Sequence, residues 1–197
     1  MPFDIRPATS ETWDALAALF REGGDPRWCW CQFWRMRGRD MSVAKVPELE
    51  TRLRAQAESE EPPGLIAFDS DLGPGRALGW ISLGPREAFE KIVHSKVIPK
   101  IDDRPVWSIV CFAVSKQARG LGVARALLDG AIAYAREHGA EALEAYPVRL
   151  PEGEPLRPNA AFTGTLPMFE QVGFRVAADR ASDPSALNQR VVVRREL

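Results

Sequence analysis

A strand-like run ends at Val114 and is followed by Ser115-Lys116-Gln117-Ala118-Arg119-Gly120-Leu121-Gly122-Val123-Ala124, where a long helical pattern begins. Glycines in such a turn let the backbone approach a ligand with no Cβ in the way. The unpaired N–H groups of the first helical turn point at one spot, and the helix dipole favours negative charge there. That arrangement suits a phosphate or pyrophosphate. The Walker pattern fails, because no Gly-Lys-Ser/Thr follows. The dinucleotide pattern also fails, since Arg125 stands where a third small residue is required. A plain glycine turn between strand and helix is the competing reading.

A second unusual segment is Arg27-Trp28-Cys29-Trp30-Cys31-Gln32-Phe33-Trp34-Arg35, which holds three of the six tryptophans. Three readings compete. The rings can form a satellite core that seals the first helix onto the sheet. Alternatively Trp28, Trp30 and Trp34 can wall a substrate pocket, stacking on an acceptor or holding a cation. A metal site is the weakest reading, because one Cys-x-Cys lacks the usual ligand spacing and only Cys111, His94 and His138 could complete it. No metal is expected. Arg27, Arg35, Arg37 and Arg39 interleave with the rings as in grips on single-stranded nucleic acid. The cluster is short and the chain is neutral, so a nucleic-acid partner is not expected.

The elements that must position these residues follow from pattern. Residues 3–8 read as a strand, and Glu11–Arg21 as a helix capped by Thr9 or Ser10. A charged helix is predicted over Pro47–Ser59, and Leu65–Phe68 with Ala77–Leu83 as a hairpin. A helical segment from Arg86 to Val97 leads to the strongest strand, Val106–Val114, and then to the best helix, Ala118–His138, closed by Gly139. A strand over Ala142–Val148, a proline-rich loop, a short helix at Thr165–Val172 and strands at Gly173–Val176 and Arg190–Arg194 complete the chain.

The chain has 197 residues with 26 Lys+Arg against 27 Asp+Glu, a formal charge of −1. That length reads as one domain, and a chain of this size buries roughly 70% of its unfolded surface without disulfides or metals. Near-neutrality excludes the strong field of nucleic-acid or membrane-surface binders. The opening residues do not read as a signal peptide, and no stretch reaches the ~18 consecutive apolar residues of a membrane span. Three cysteines form no secreted disulfide framework, so a cytoplasmic location is the simplest expectation.

Gln117-Ala118-Arg119-Gly120-Leu121-Gly122 fits the pattern Q/R-x-x-G-x-G/A and resembles the coenzyme A turn of the GNAT N-acetyltransferase superfamily. Ile5-Arg6-Pro7-Ala8-Thr9 resembles that family's opening, and Met168-Phe169-Glu170-Gln171-Val172-Gly173-Phe174 its closing motif. The order of elements is the family's over nearly the whole of 1–197. Residues 22–62, an acceptor-side helical and aromatic insertion, and 149–163, a loop insertion, are the less typical parts. The implied fold is α/β: a mixed, mostly antiparallel sheet of six or seven strands, splayed at its centre, with helices on both faces.

The resemblance further implies an acetyl-CoA-dependent N-acetyltransferase acting by direct transfer on a small-molecule or peptide amine. Phe112, Ala113 and Val114 would hydrogen-bond the pantetheine arm. Gln117, Arg119, Gly120, Leu121, Gly122, Val123 and Ala124 would hold the pyrophosphate, and an amide near Ala113 would face the developing oxyanion. The family's usual acid and base do not carry over. Ser108 stands where many members have a glutamate base, Phe169 where a tyrosine acid is frequent, and Phe162 where asparagine is frequent. Glu144 and Tyr146, alternate residues that share a face of a strand, are the replacement candidates, Glu144 as base through water and Tyr146 as acid. Ser108 is a candidate for positioning that water, and His94 is a second candidate base. A coenzyme A-binding module without catalysis is the alternative. The last strand is placed either to pair across a homodimer interface or to stand as a charged edge.

Overall fold

The computed structural model describes residues 3–22, 26–71, 75–148, 162–179 and 190–197. Seven strands form one sheet in the order β1-β2-β3-β4-β5-β7-β6, with β1 Phe3–Pro7, β2 Gly64–Asp69, β3 Ala77–Pro85, β4 Trp107–Val114, β5 Ala142–Ala145, β6 Arg175–Ala178 and β7 Val192–Glu196. Every pairing is antiparallel except β4 with β5. This is the mixed, mostly antiparallel architecture expected from the sequence. The last strand departs from expectation: β7 is paired on both sides, with β5 and with β6, so it is neither a charged edge nor free to pair across a dimer, and among the described residues β6 is the edge instead.

The helices are α1 Trp13–Arg21, α2 Pro26–Cys29, α3 Gly38–Val43, α4 Val46–Ala57, α5 Glu90–Val93, α6 Val123–Glu137 and α7 Leu166–Glu170. Two cores result from the period-2 alternation of the strands. On one face, α1 and α4 bury Leu16, Phe20, Leu49 and Leu53 against Ile66, Phe68, Trp80 and Cys111. On the other, α6 packs Val123, Leu127, Leu128 and Ala131 onto Leu65, Ala67, Ile81, Ile109 and Phe112.

Three of the elements that depart from the sequence pattern do so for a reason the structure shows. The long helix starts at Val123 rather than Ala118, because Gly120 and Gly122 take φ of +79° and +90°. Residues 116–118 form a separate 3-10 turn. The helix predicted over Arg86–Val97 breaks into a 3-10 turn at Arg86–Ala88 and the single turn of α5. Phe89 leaves helical geometry between them (φ −113°, ψ 80°), and its ring is fully buried. Strand β5 stops at Ala145, short of the expected Val148. Pro147 has no N–H to continue the ladder, and Val148 makes only isolated bridges to Thr165 and Arg190. The proline-rich loop lies outside the described residues.

Candidate active site

Strands β4 and β5 run in parallel for three pairs only, Trp107 with Leu143, Ser108 with Glu144 and Ile109 with Ala145. Beyond Ile109, β4 continues to Val114 along β3, and a bulge between Ser82 and Leu83 shifts the register against Ile109 and Cys111. Ser115 N–H donates to the Leu78 carbonyl. By the antiparallel alternation, Ala113 then bonds back to β3, while Phe112 and Val114 turn their peptide groups to the edge that β5 has vacated. The Phe112 N–H on that edge donates to the Phe162 carbonyl at 2.6 Å. Of the three residues expected to meet a pantetheine arm, Val114 therefore offers the open amide. The amide of Ala113 is directed at β3 instead of a developing oxyanion.

The vacated edge leads straight to the glycine turn. Gly122 is the N-cap of α6 and Gly120 precedes it, both in the left-handed region. A Cβ added at either would meet nothing within 4 Å, so the space above the turn is open. The N–H groups of the first turn of α6 have no intrahelical acceptor. Arg119 and Leu121 are exposed beside them, Val123 packs into the core, and Ala124 is half-buried. Left-handed glycines, open space and unpaired helix amides are the features a pyrophosphate needs, and this turn fits the coenzyme.

The acidic and phenolic groups collect where the two strands part. The Tyr146 hydroxyl donates to Glu144 Oε2 at 3.0 Å and lies 2.9 Å from the Ser108 hydroxyl. All three side chains are buried. Burial, and after it the charge of Glu144, pushes the Tyr146 hydroxyl well above the usual phenol range. Tyr146 is thus a phenol at physiological pH, and its donation to Glu144 leaves Ser108 to donate to it. Glu144 Oε1 accepts from Arg194 at 2.7 Å, and Oε2 lies 3.6 Å from Arg86. Arg194 also holds Asp102, 2.9 Å from Nη2 to Oδ1. Its hydrogen bond lowers Asp102 to about 2, while Asp102 raises Arg194 above the ordinary arginine value.

Arg86, Asp102 and Arg194 were not readable as part of this site. Asp102 lies 92 residues from its arginine partner. One signal was present: Arg194 closes a valine run on the strand that pairs Glu144 with it. Phe169 is a fully buried core ring, 6.1 Å from Phe112 and 5.2 Å from Phe174. His94 is exposed at the end of α5 and contacts Arg37 and Glu90, and among the described residues it forms no hydrogen bond or ion pair with Ser108, Glu144 or Tyr146.

The aromatic segment divides. Trp30 is buried between Trp13 and Phe20, and with Cys31 it takes a positive φ (43° and 50°). Trp34 is buried and stacks on Tyr146 with ring centroids 6.5 Å apart. Trp28 is 61% exposed and contacts the Arg27 guanidinium. So Trp34 alone of the three reaches the site, and Trp30 belongs to the core. No group of three or more His, Cys, Asp or Glu able to hold a metal ion occurs among the described residues. Nor is any of their helices long and apolar enough to cross a membrane. A groove of about 910 Å³ lies between α6 and β6–β7, lined by Arg125, Asp129, Gly173, Arg175 and Arg195. Ser108, Glu144 and Tyr146 take no part in it.

A central sheet parted between two parallel strands, with a left-handed glycine turn at the head of the part, defines an acetyltransferase-type fold. The family model described as Acetyltransferase (GNAT) family matches residues 16–152, and the chain belongs to that family. Solved structures agree on the fold. A GCN5-related N-acetyltransferase from Kribbella flavida superposes with a TM-score of 0.56 at 20% identity, covering 99% of this chain and 98% of that one. A Corynebacterium glutamicum protein described as histone acetyltransferase HPA2 and related acetyltransferase gives 0.53 at 23% identity, covering 100% and 97%. NAA60 of Arabidopsis thaliana, in complex with acetyl-CoA, gives 0.52 at 10% identity and covers 100% of both. No curated protein matches the sequence.

Proposed function

We propose that this protein transfers the acetyl group of acetyl-CoA directly to an amine. The observation that carries the reading is the parting of β4 from β5 after Ile109 and Ala145, which opens an edge of β4 running to Gly120 and Gly122. Val114 would bind the pantetheine arm, together with the carbonyl of Phe112. Amides from Gly122 to Ala124, with Gln117, Arg119, Gly120 and Leu121 around them, would hold the pyrophosphate.

The proton path we propose runs from the acceptor amine to Ser108, from Ser108 to Tyr146 and from Tyr146 to Glu144. Each hydroxyl accepts one proton as it gives up another, so Glu144 serves as the terminal base without touching the substrate. Tyr146 can return a proton to the departing thiolate by the reverse movement. Arg86 and Arg194 position Glu144. Bringing amine and thioester together at the part supplies much of the rate in acyl transfer.

Titration calorimetry of acetyl-CoA into the purified protein tests the first half, with Gly122→Trp as the control. Binding at micromolar concentration, lost in the variant, is the expected result. No binding up to millimolar acetyl-CoA overturns the reading. Free-thiol release with an amine panel tests the second half, and unchanged turnover in Glu144→Gln would remove Glu144 from the path.

A further inference from the structure

Arg35, Lys91 and Arg190 stand apart from the other cations around the site. Arg86 and Arg194 are paired with carboxylates. Among the described residues no carboxylate forms a salt bridge with Arg35, Lys91 or Arg190. Each instead lies over an aromatic ring. Arg35 is 4.6 Å from the Phe89 centroid, Lys91 Nζ is 3.2 Å from that of Phe33, and Arg190 is 5.2 Å from that of Trp34. Burial lowers all three, Arg35 to about 10.

Arg35 and Arg190 lie beside the parting strands. Gly84 pairs directly with Ser108 across β3 and β4. The Arg35 guanidinium lies over it, with Nη2 3.8 Å from where a Gly84 Cβ would be. Arg190 donates to the Tyr146 carbonyl at 3.1 Å and to the Thr163 hydroxyl at 2.8 Å. The Trp34 ring stacks on Tyr146 and lies against the Arg190 guanidinium. Two donors here are buried with no acceptor, Arg35 Nε and Trp34 Nε1. A buried N–H left unmade is costly, and both orphans are donors, so the missing partner is an acceptor. Two guanidiniums drawn out of water, with the half-buried Lys91 beside Phe33, specify its sign.

We infer that the acceptor amine also bears a carboxylate, received by Arg35 and Arg190 beside Trp34 while its amine reaches Ser108. This rests on the acetyltransferase reading above. It narrows the acceptor to amines with an acidic group a few bonds away. A free amino acid and a peptide with an acidic first residue share that chemistry.

The test separates the two readings. Acetyl-CoA is first titrated by calorimetry, and absence of binding sinks both. With binding established, thiol release is measured for phenylalanine, leucine and tryptophan against their amides, and for Glu-Ala-amide against Gln-Ala-amide. An amide's α-amine is less basic and more often neutral at pH 7, so intrinsic reactivity runs against the inference. The expected result is a kcat/KM at least about tenfold higher for the carboxylate member of one pair, equivalent to ~1.4 kcal/mol. The amino-acid pairs and the peptide pair distinguish the two sources. Arg190→Gln should shrink that ratio at least about fivefold, chiefly through KM, with partial recovery in Arg190→Lys. Arg35→Gln is the second variant should Arg190→Gln fail to fold. Equal or faster turnover of the amides, or no turnover of any carboxylate-bearing amine by protein that binds acetyl-CoA, overturns the inference.

Discussion

The phenolic oxygen of Tyr146 lies 2.9 Å from the hydroxyl oxygen of Ser108. The contact ties β5 to β4 one residue past their last parallel pair, at Ile109 and Ala145. It therefore pins the apex of the opening, and the second bond of the same phenolic oxygen, donated to Glu144 at 3.0 Å, links the opening to that carboxylate. The hydrogen-bonded string that joins the strands is the one proposed to carry the proton.

Tyr146→Phe and Ser108→Ala should both interrupt this string. We expect kcat to fall by about 10²-fold, the lower end for loss of a proton-transfer group, with acetyl-CoA affinity kept. Tyr146→Phe also strips a donor from buried Glu144, which costs about 1–3 kcal/mol of stability. Steady-state thiol release and urea unfolding on the same preparations check the pair. A kcat within twofold of wild type in both variants would show that protons leave by another route.

Gly122 is a cleaner probe of the coenzyme turn. Its φ of +90° costs an ordinary L-residue about 1–2 kcal/mol, although a Cβ there has room. Gly122→Ala should therefore unfold at lower temperature with no clash inside the protein to explain it, and bind acetyl-CoA more weakly because its Cβ would stand in the space the coenzyme is proposed to enter. Gly139, also left-handed (φ +75°) and at the far end of α6, is the control. Gly139→Ala should lose comparable stability and keep acetyl-CoA binding.

Asp102 gives the molecule a specific acid sensitivity. Arg194 holds its carboxyl at about 2 in the folded protein, against ~3.9 in an unfolded chain. A depressed folded value stabilises at pH above the unfolded one, and that contribution disappears as pH falls through 4 towards 2. Asp102→Asn should flatten the loss of stability between pH 4 and 2 relative to wild type. Thermal unfolding at half-unit pH steps reads this directly. Parallel curves for the two proteins would place the acid sensitivity elsewhere.

Much of this arrangement was legible because it is local. The glycine turn, the order of the elements and the shared face of Glu144 and Tyr146 depend on neighbours within a few residues. The ion pairs were not. Glu144 meets Arg194 across 50 residues of sequence, and Asp102 meets it across 92, and neither spacing leaves a periodic trace. Phe89 broke a helix because its ring had a buried place to fill, which is a tertiary cause. The short reach of β5 has a cause in the sequence that the expected strand ran past: Pro147, whose missing N–H ends the ladder. The Phe162 carbonyl on Phe112 could not be foreseen, since a backbone acceptor has no sequence signature.

The tryptophan segment is one run of sequence, but it should respond to mutation as two features. Trp30 is 2% exposed and packed on Trp13 and Phe20, with its backbone in the left-handed region. Trp30→Ala should cost about 3–5 kcal/mol, the range for emptying a large aromatic site in a core. Trp28 is 61% exposed and touches Arg27, so Trp28→Ala should move stability by no more than about 0.5 kcal/mol. Trp34 stands between these cases, because its ring stacks on Tyr146 and lies against the Arg190 guanidinium. Trp34→Phe keeps an apolar ring but removes the buried, unpaired N–H, so stability should change little while KM for the acceptor rises. Urea midpoints and acceptor KM values for the three variants decide it. A Trp28→Ala defect in KM as large as that of Trp34→Phe would mean that the acceptor is gripped at the surface rather than beside the parting strands.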